Sequence, residues 1–409
     1  MGMRRHVNTS VKEEIRPVVY GVCLYFLLAG TDSFQIGSIG SFLKIVALLP
    51  LALALLDLKK FRIRFSATLV VQFLFWLLAI ASLLYSLNPD KTFSSVKALS
   101  LNLALVFFLG VVEKYNQLEL KVMNVALIAG GWVTILLMLL FSDTSADGRL
   151  TLLLGGENQD QNYINGYFIY AFSWHCSKFL LDKKKLHCIP TVFMLTIVLL
   201  TGSRGALLAF MTVCFAIICV FFANSKHKIR NILLIVLLMI LLLVIFDMIL
   251  AQMPESVARR FSWDYIAEKG STGRTRVWEF LLGHYAQDSI PRMLFGHGYG
   301  TTSLVNTLNG RVAHNLYIDN LITLGLIGVL LQIVIQASVV HTLFRKRQYP
   351  LLGAYLGMIC MCLSLSLVAY KPIWNIMLLA LAVDAANKTT INKSNDENGR
   401  FENESNERA

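Results

Sequence analysis

The chain has 409 residues, of which 56% are apolar, and its mean hydropathy is +0.60. Only 15% of the residues are charged, which excludes a soluble globular domain with a typical charged surface. The formal net charge of +12 is explained by basic loops on one side of a membrane, so it does not indicate nucleic-acid binding.

Apolar runs bounded by charged residues predict an all-α, polytopic integral membrane protein with about 12 transmembrane helices. A span needs roughly 20 apolar residues, and helices satisfy their own backbone hydrogen bonds in lipid. In chain order, the predicted spans are 17–36, 38–56, 67–87, 96–112, 122–141, 162–180, 187–202, 205–223, 231–250, 314–342, 351–370 and 373–386. We predict a single transmembrane domain over 1–386, which includes a polar loop at 251–313. Residues 387–409 are predicted to form a disordered cytoplasmic tail, because they contain too little apolar surface to fold.

Lys and Arg residues cluster in segments that this arrangement places on one face. They are Arg4, Arg5, Lys12 and Arg16; Lys59, Lys60, Arg62 and Arg64; Lys114 and Lys121; Lys178 and Lys183–Lys185; Lys226, Lys228 and Arg230; Arg345–Arg347; and Lys388, Lys393, Arg400 and Arg408. Cytoplasmic loops are enriched in such residues, so we expect both termini in the cytoplasm and the loop 251–313 on the opposite, exterior face. A long charged lead without a small-residue cleavage site predicts a retained first span rather than a cleaved signal peptide.

This exterior loop is rich in arginine, whose planar guanidinium suits phosphate better than the point charge of lysine. Its basic residues are Arg259, Arg260, Lys269, Arg274, Arg276, Arg292 and Arg311. Simple solvation explains Arg259, Arg260, Arg292 and Arg311. Arg204 differs because Thr201–Ala206 turns between two apolar runs and places its guanidinium at the membrane boundary. A charge there is either functional or snorkels to lipid headgroups.

His314 is predicted to begin a helix in which His314, Leu321, Gly325 and Gly328 share one face. The glycines would let a neighbouring helix approach closely and fix the histidine at the water boundary. This placement suits a general base, although a lone interfacial histidine also serves as an ordinary polar helix start. Asp319 is the nearest carboxylate, at a poor helical spacing for a direct partner.

Read together, these segments resemble the O-antigen ligase and polymerase family of bacterial envelope glycosyltransferases. The sharpest part is a pattern of His, then Asn, Ser or Gln, nine residues, Gly, two residues, and Gly, Thr or Tyr. His314, Asn315, Gly325 and Gly328 satisfy it. Three further segments are similar to features of this family: Thr201–Gly205, Gly273-Arg274 with Trp278, and Phe295–Gly300.

The resemblance implies transfer of a glycan from undecaprenyl pyrophosphate to a sugar hydroxyl of lipid A-core, on the periplasmic face of the inner membrane. It implies that His314 takes the hydroxyl proton and that Arg204 and Arg274 stabilise the departing pyrophosphate. Arg276 and Asn315 are the expected substrate-binding residues. No cofactor, nucleotide or metal is implied, because the lipid pyrophosphate is itself the activated donor. The implied partners are the two lipid-linked substrates and membrane lipids.

Two alternatives remain open. An O-antigen polymerase uses the same type of donor to extend the glycan on its carrier, although the His-Asn pattern favours a ligase. A transporter or flippase would use intramembrane charges such as Lys44, Asp247 and Asp319, but these are scattered along the chain. The polar segment Gly155–Asn162 is explained equally well as part of a donor site or as an ordinary loop.

Overall fold

A computed structural model describes residues 14–32, 34–36, 40–56, 66–145, 148–225, 229–230, 247–262, 264–265, 273–367 and 370–386. Most of the predicted span 231–250 and all of the predicted tail 387–409 lie outside the described residues. Within these ranges the chain is mostly helical, as the apolar pattern predicts, and it adds two small antiparallel sheets.

The first half contains five long helices. They are α1 (Pro17–Leu27), α2 (Phe42–Leu56), α3 (Ala67–Ala81), α4 (Pro89–Leu105) and α5 (Gln117–Leu140). A π-helical segment, Val106–Val112, continues α4. Side-chain caps define several starts: Ser66 caps α3, Asn88 caps α4, and Asn116 forms a capping box with Glu119 at α5.

The second half contains long helices separated by the polar loop. They are α6 (Ile169–Leu180), α7 (Cys188–Leu200), α8 (Arg204–Ala223), α13 (Leu316–Arg345), α14 (Tyr349–Cys362) and α15 (Lys371–Ala386). The described part of the loop folds into four short helices: α9 (Glu255–Ala258), α10 (Arg274–Ala286), α11 (Ile290–Phe295) and α12 (Thr302–Val305). Short 3-10 turns occupy Ala29–Thr31, Ser82–Leu84, Ile164–Tyr167, Lys185–His187 and Arg259–Phe261.

The two sheets lie at the ends of helices. Strands β1 (Gln35–Ile36) and β2 (Gly40–Ser41) form a hairpin between α1 and α2. Strands β3 (Ser142–Thr144), β4 (Leu150–Leu154) and β5 (Glu157–Asn158) form a sheet in that order after α5. The predicted span 17–36 is α-helical only as far as Leu27, and the predicted span 162–180 becomes an α-helix only at Ile169.

Five helical segments of the described chain are long and apolar enough to cross a membrane. They are Ala67–Leu84, Pro89–Val112, Gln117–Leu140, Arg204–Ala223 and Leu316–Arg345. Four shorter apolar helices accompany them: Pro17–Leu27, Phe42–Leu56, Lys185–Leu200 and Tyr349–Cys362. These segments coincide with predicted spans, so the chain is a helical membrane protein. The full number of spans stays a prediction.

Helix α13 departs from the regular helix that the sequence predicts. It begins at Leu316, and Gly325 interrupts it with φ 66° and ψ −166°. A Cβ atom at Gly325 would overlap the backbone of Leu294 and Phe295. The prediction that Gly325 lies on a continuous helical face is therefore wrong. The end of the short helix α11 occupies the space where a side chain at position 325 would lie.

The glycine-rich segment Phe295–Gly300 attaches the polar loop to α13. His297 N–H donates to the carbonyl of Ile322, and Gly298 N–H donates to that of Thr323, both at 3.0 Å. Gly296, Gly298 and Gly300 all have positive φ, which glycine adopts at little cost. These bonds join the loop to the helix backbone at the break and hold α10 and α11 beside the start of α13.

Candidate active site

His314 lies two residues before α13 rather than at its first turn, so the predicted helical placement is wrong. Its φ is 51°, a left-handed conformation that residues other than glycine seldom adopt. Asn315 is the N-cap of α13: its Oδ1 accepts from the N–H groups of Tyr317 at 3.0 Å and Ile318 at 3.2 Å. The side-chain amide of Asn315 also donates to Leu363 O at 3.1 Å. A substrate contact by Asn315 stays a prediction.

Arg274 is the first residue of α10, after Gly273 with φ 81°. Its Nη1 donates to the carbonyl oxygen of Ser364 at 2.9 Å. The neighbouring carbonyl, Leu363 O, is the acceptor for Asn315. The backbone that follows α14 therefore brings together the start of α10 and the residue next to His314.

The turn that carries Arg204 reaches the same backbone segment. Ser203 caps α8 through a bond to Ala206 N–H, so Arg204 begins this helix. A Cβ atom at Gly205 would overlap the hydroxyl of Ser364. Because Gly205 has no side chain, the turn can pack against Ser364, whose carbonyl oxygen accepts from Arg274. The structure therefore brings Arg204 and Arg274 to one region.

Electrostatic interactions link His314, Arg274 and Asp160. Burial lowers the pKa of His314 and the charge of Arg274 lowers it further, whereas Asp160 opposes the shift and Arg311 adds to it. Burial also lowers the pKa of Arg274. The charges of Asp160 and Tyr163 oppose this shift, whereas those of Arg204 and Arg260 lower the pKa of Arg274 further. The imidazole of His314 is therefore kept neutral at neutral pH, beside a group of cations.

The Nδ1 atom of His314 is buried and has no hydrogen-bond partner among the described residues. A buried nitrogen without a partner costs free energy. Such an atom in a partly buried ring beside Arg274 suits a group that exchanges a proton with a bound molecule.

The sequence analysis missed two arginines in this region. Arg149 Nε donates to Thr201 O at 2.7 Å, and its Nη2 donates to Asn162 Oδ1 at 3.2 Å. Arg260 Nε donates to Gly202 O at 3.1 Å. Both guanidinium groups therefore bind the turn that precedes Arg204. In the sequence, Arg149 could have been noticed because it is a basic residue directly before a short apolar strand. Arg260 had been interpreted as an ordinary solvated residue of the loop.

The polar segment Gly155–Asn162 belongs to this site electrostatically. Asp160 Oδ1 accepts from the backbone N–H and the side-chain amide of Asn162, at 2.7 and 2.8 Å. Its charge acts on both His314 and Arg274. Of the other predicted residues, Arg276 is exposed on α10, and Lys44 and Asp247 are exposed.

His284, Asp288 and His297 form a group whose potential metal-ligand atoms all lie within 4.8 Å of one another. Arg292 Nη1 donates to His297 Nδ1 at 2.8 Å, so the proton of the neutral ring is on Nε2, which faces Asp288 Oδ2 at 2.8 Å. A histidine that binds a metal normally donates its other ring N–H to an acceptor, which Arg292 cannot be. The contacts favour a structural link between α10, α11 and the glycine-rich segment.

Comparison with known proteins adds one family. Residues 189–333 match the model of the O-antigen ligase family. A search of curated proteins finds no match. The matched segment contains Arg204, Arg274 and His314, together with the loop helices and the first part of α13. The function that this family indicates is of the O-antigen ligase or polymerase type, performed by a glycosyltransferase-like enzyme on lipid-linked glycans. Residues 189–333 are therefore similar to the O-antigen ligase family, and the long apolar helices indicate a membrane protein.

Proposed function

We propose that this protein is an O-antigen ligase, which transfers a glycan from undecaprenyl pyrophosphate to a sugar hydroxyl of lipid A-core. The observation that carries the proposal is the arrangement of His314 beside Arg274. One nitrogen of the imidazole has no partner among the described residues, and the nearby guanidinium binds a backbone carbonyl. A base and a cation are the two groups that this transfer requires.

In the proposed reaction, the acceptor hydroxyl oxygen attacks the anomeric carbon of the donor glycan. His314 takes the hydroxyl proton as the new carbon–oxygen bond forms. The bond between the anomeric carbon and the pyrophosphate oxygen breaks, and its electron pair leaves with undecaprenyl pyrophosphate. The imidazolium then releases its proton to water. The lowered pKa of His314 keeps the ring neutral before the reaction, as a base must be.

Arg274 and Arg204 stabilise the negative charge that develops on the departing pyrophosphate. Their charges lie close enough for Arg204 to lower the pKa of Arg274, so an anion between them would relieve this repulsion. Arg149 and Arg260 bind the backbone of the turn before Arg204 and add positive charge to the same region. Preorganised cations of this kind are usually a large part of catalysis.

The proposed setting is the bacterial inner membrane, with both termini in the cytoplasm and the site on the periplasmic face. The positions of the basic loops support this orientation. Both substrates are anchored in lipid, which accounts for an enzyme composed largely of apolar helices. The chemistry assigned to His314, Arg204 and Arg274 uses no cofactor. Arg276 and Asn315 are retained as proposed contacts to substrate.

The test is the lipopolysaccharide profile of a deletion strain that expresses wild-type protein or His314→Ala, alongside an assay of lipid-linked glycan. A neutral base contributes about 100- to 10,000-fold to such a step, so His314→Ala should remove core-attached glycan while polymer accumulates on its carrier. His341→Ala is the matched control, because His341 is an exposed histidine near the other end of α13.

Two other outcomes would contradict the ligase assignment. Core that bears a single repeat unit in the deletion strain would indicate the polymerase. An unchanged profile in both the deletion and His314→Ala strains would support a transporter without covalent chemistry.

A further inference from the structure

The residue before His314 is held from two directions. The indole Nε1 of Trp278 donates to the carbonyl oxygen of Ala313 at 2.8 Å, and the N–H of Ala313 donates to Asp319 Oδ1 at 3.0 Å. Ala313 is 1% exposed, so its peptide groups depend on these bonds rather than on water. Two side chains therefore fix both polar groups of the residue that precedes the proposed base.

Asp319 connects this residue to two further segments. It also accepts hydrogen bonds from the hydroxyl of Ser366 and from the side chain of Thr302. The side chain is 7% exposed, and among the described residues it has no basic partner within salt-bridge distance. A buried carboxylate requires hydrogen bonds to offset the loss of water. The donors of Asp319 come from the polar loop and from the segment after α14, the two parts that surround His314.

His314 itself has a backbone conformation that needs such support. With φ at 51°, a residue other than glycine has a strained backbone. Strain of this kind persists only where the surroundings hold the backbone. Trp278 and Asp319 hold it on the N-terminal side of His314. Asn315, through the N-cap and its bond to Leu363, holds it on the C-terminal side.

We infer that Asp319 and Trp278 are positioning residues, which hold the imidazole of His314 in the orientation required for proton transfer by fixing the peptide groups of Ala313. This inference rests on the proposed function. Neither residue touches the reacting atoms. Their effect is geometric, and a displacement of about 1 Å in a reacting group can lower a rate by roughly 100-fold.

The first test is Trp278→Phe, which keeps an aromatic ring but removes the donor to Ala313. In purified full-length protein, we expect kcat to fall by about 10- to 100-fold, while the KM for the lipid-linked donor stays within about twofold. Trp132→Phe is the matched control, because its indole N–H binds His175 on α6 instead. That variant should keep the wild-type kcat.

The second test separates hydrogen bonding from charge at Asp319. Asp319→Asn keeps an oxygen that can accept from Ala313 N–H, whereas Asp319→Ala removes it. We expect Asp319→Ala to lose kcat to an extent similar to Trp278→Phe, and Asp319→Asn to restore most of the wild-type rate. Should Asp319→Ala fail to fold, Trp278→Phe still decides the question, since its packing is largely conserved.

Three results would overturn the inference. The first is that Trp278→Phe has the same kcat as Trp132→Phe, and the second is that Asp319→Asn is as inactive as Asp319→Ala. The third is that Trp278→Phe mainly raises the KM for the donor instead of lowering kcat. His314→Ala measured in parallel separates this inference from the proposed function. Full activity of His314→Ala would reject the base itself. An inactive His314→Ala beside a fully active Trp278→Phe would reject only the positioning role.

Discussion

Arg16 and Arg274 each lie at the N-terminus of a helix, but their surroundings differ in charge. Arg16 precedes α1 and binds two carboxylates, Glu113 Oε2 at 2.7 Å and Glu119 Oε1 at 2.8 Å. Burial alone would lower the pKa of Arg16, but the bonds and charges of Glu119 and Glu113 raise it above the ordinary value. This cation is neutralised by carboxylates of the protein itself.

Arg274 binds a backbone carbonyl instead, and it has no carboxylate within salt-bridge distance among the described residues. Burial and the charges of Arg204 and Arg260 lower its pKa, and Asp160 only partly opposes them. We propose that this difference separates the structural arginine, Arg16, from the arginine that acts on substrate, Arg274. Arg16 is paired with carboxylates and joins helices, whereas the positive charges close to the partly buried guanidinium of Arg274 favour an anionic ligand there.

The largest expected effect on stability comes from the Arg16 cluster. Arg16→Met would remove the guanidinium that binds Glu113 and Glu119, whose side chains are 3% and 1% exposed. Removing one partner of a buried ion pair costs about 3–5 kcal/mol. We expect a lower melting temperature in detergent and less protein in the membrane.

Arg16→Met combined with Glu119→Gln should recover part of that stability, because the glutamine removes one buried charge and preserves the capping box with Asn116. A stable but inactive Arg16→Met protein would contradict the structural role of Arg16, since it would indicate that this residue takes part in the reaction.

Arg274→Ala should show the opposite pattern, with lost activity and little lost stability. Removing one preorganised group that stabilises developing charge costs about 100- to 1,000-fold in kcat. Arg276→Ala is the control, because Arg276 is exposed on the same helix. Transfer measured with purified substrates distinguishes the two arginines. A larger loss from Arg276→Ala would assign the pyrophosphate contact to that residue instead.

The smallest expected effect is a displacement of the pH profile. The pKa of His314 is lowered, so transfer should be full above that pKa and fall as the pH decreases through it, at a lower pH than for an ordinary histidine. Because Arg311 lowers and Asp160 raises this pKa, Arg311→Gln should move the acidic limb to higher pH and Asp160→Asn should move it to lower pH.

Both of these groups are exposed, so high salt should reduce the two displacements. Rates measured across the acidic range with each variant test the signs. Equal profiles in the wild type and in both variants would show that His314 is not the titrating group.

The sequence drew attention to residues that the structure brings together, but it did not predict their geometry, and their catalytic roles stay predictions. The histidine pattern pointed to His314, and the arginines in turns and loops pointed to Arg204 and Arg274, which the structure places in one region. The predicted continuous helix through His314 and Gly325 was wrong, because loop helix α11 packs at Gly325 and changes the backbone there. The sequence analysis judged Asp319 to be poorly spaced for a direct contact with His314. In the structure Asp319 instead accepts a hydrogen bond from Ala313, the residue before His314.

Hydropathy alone was enough to predict a helical membrane protein, because hydropathy is a property of consecutive residues and lipid requires each span to satisfy its own backbone hydrogen bonds. The contacts that hold the site could not be predicted in this way. The bonds of Trp278 to Ala313, Asn315 to Leu363 and Arg274 to Ser364 join residues 35, 48 and 90 positions apart. Such contacts depend on how the helices and the loop pack together, which no local pattern of residues records.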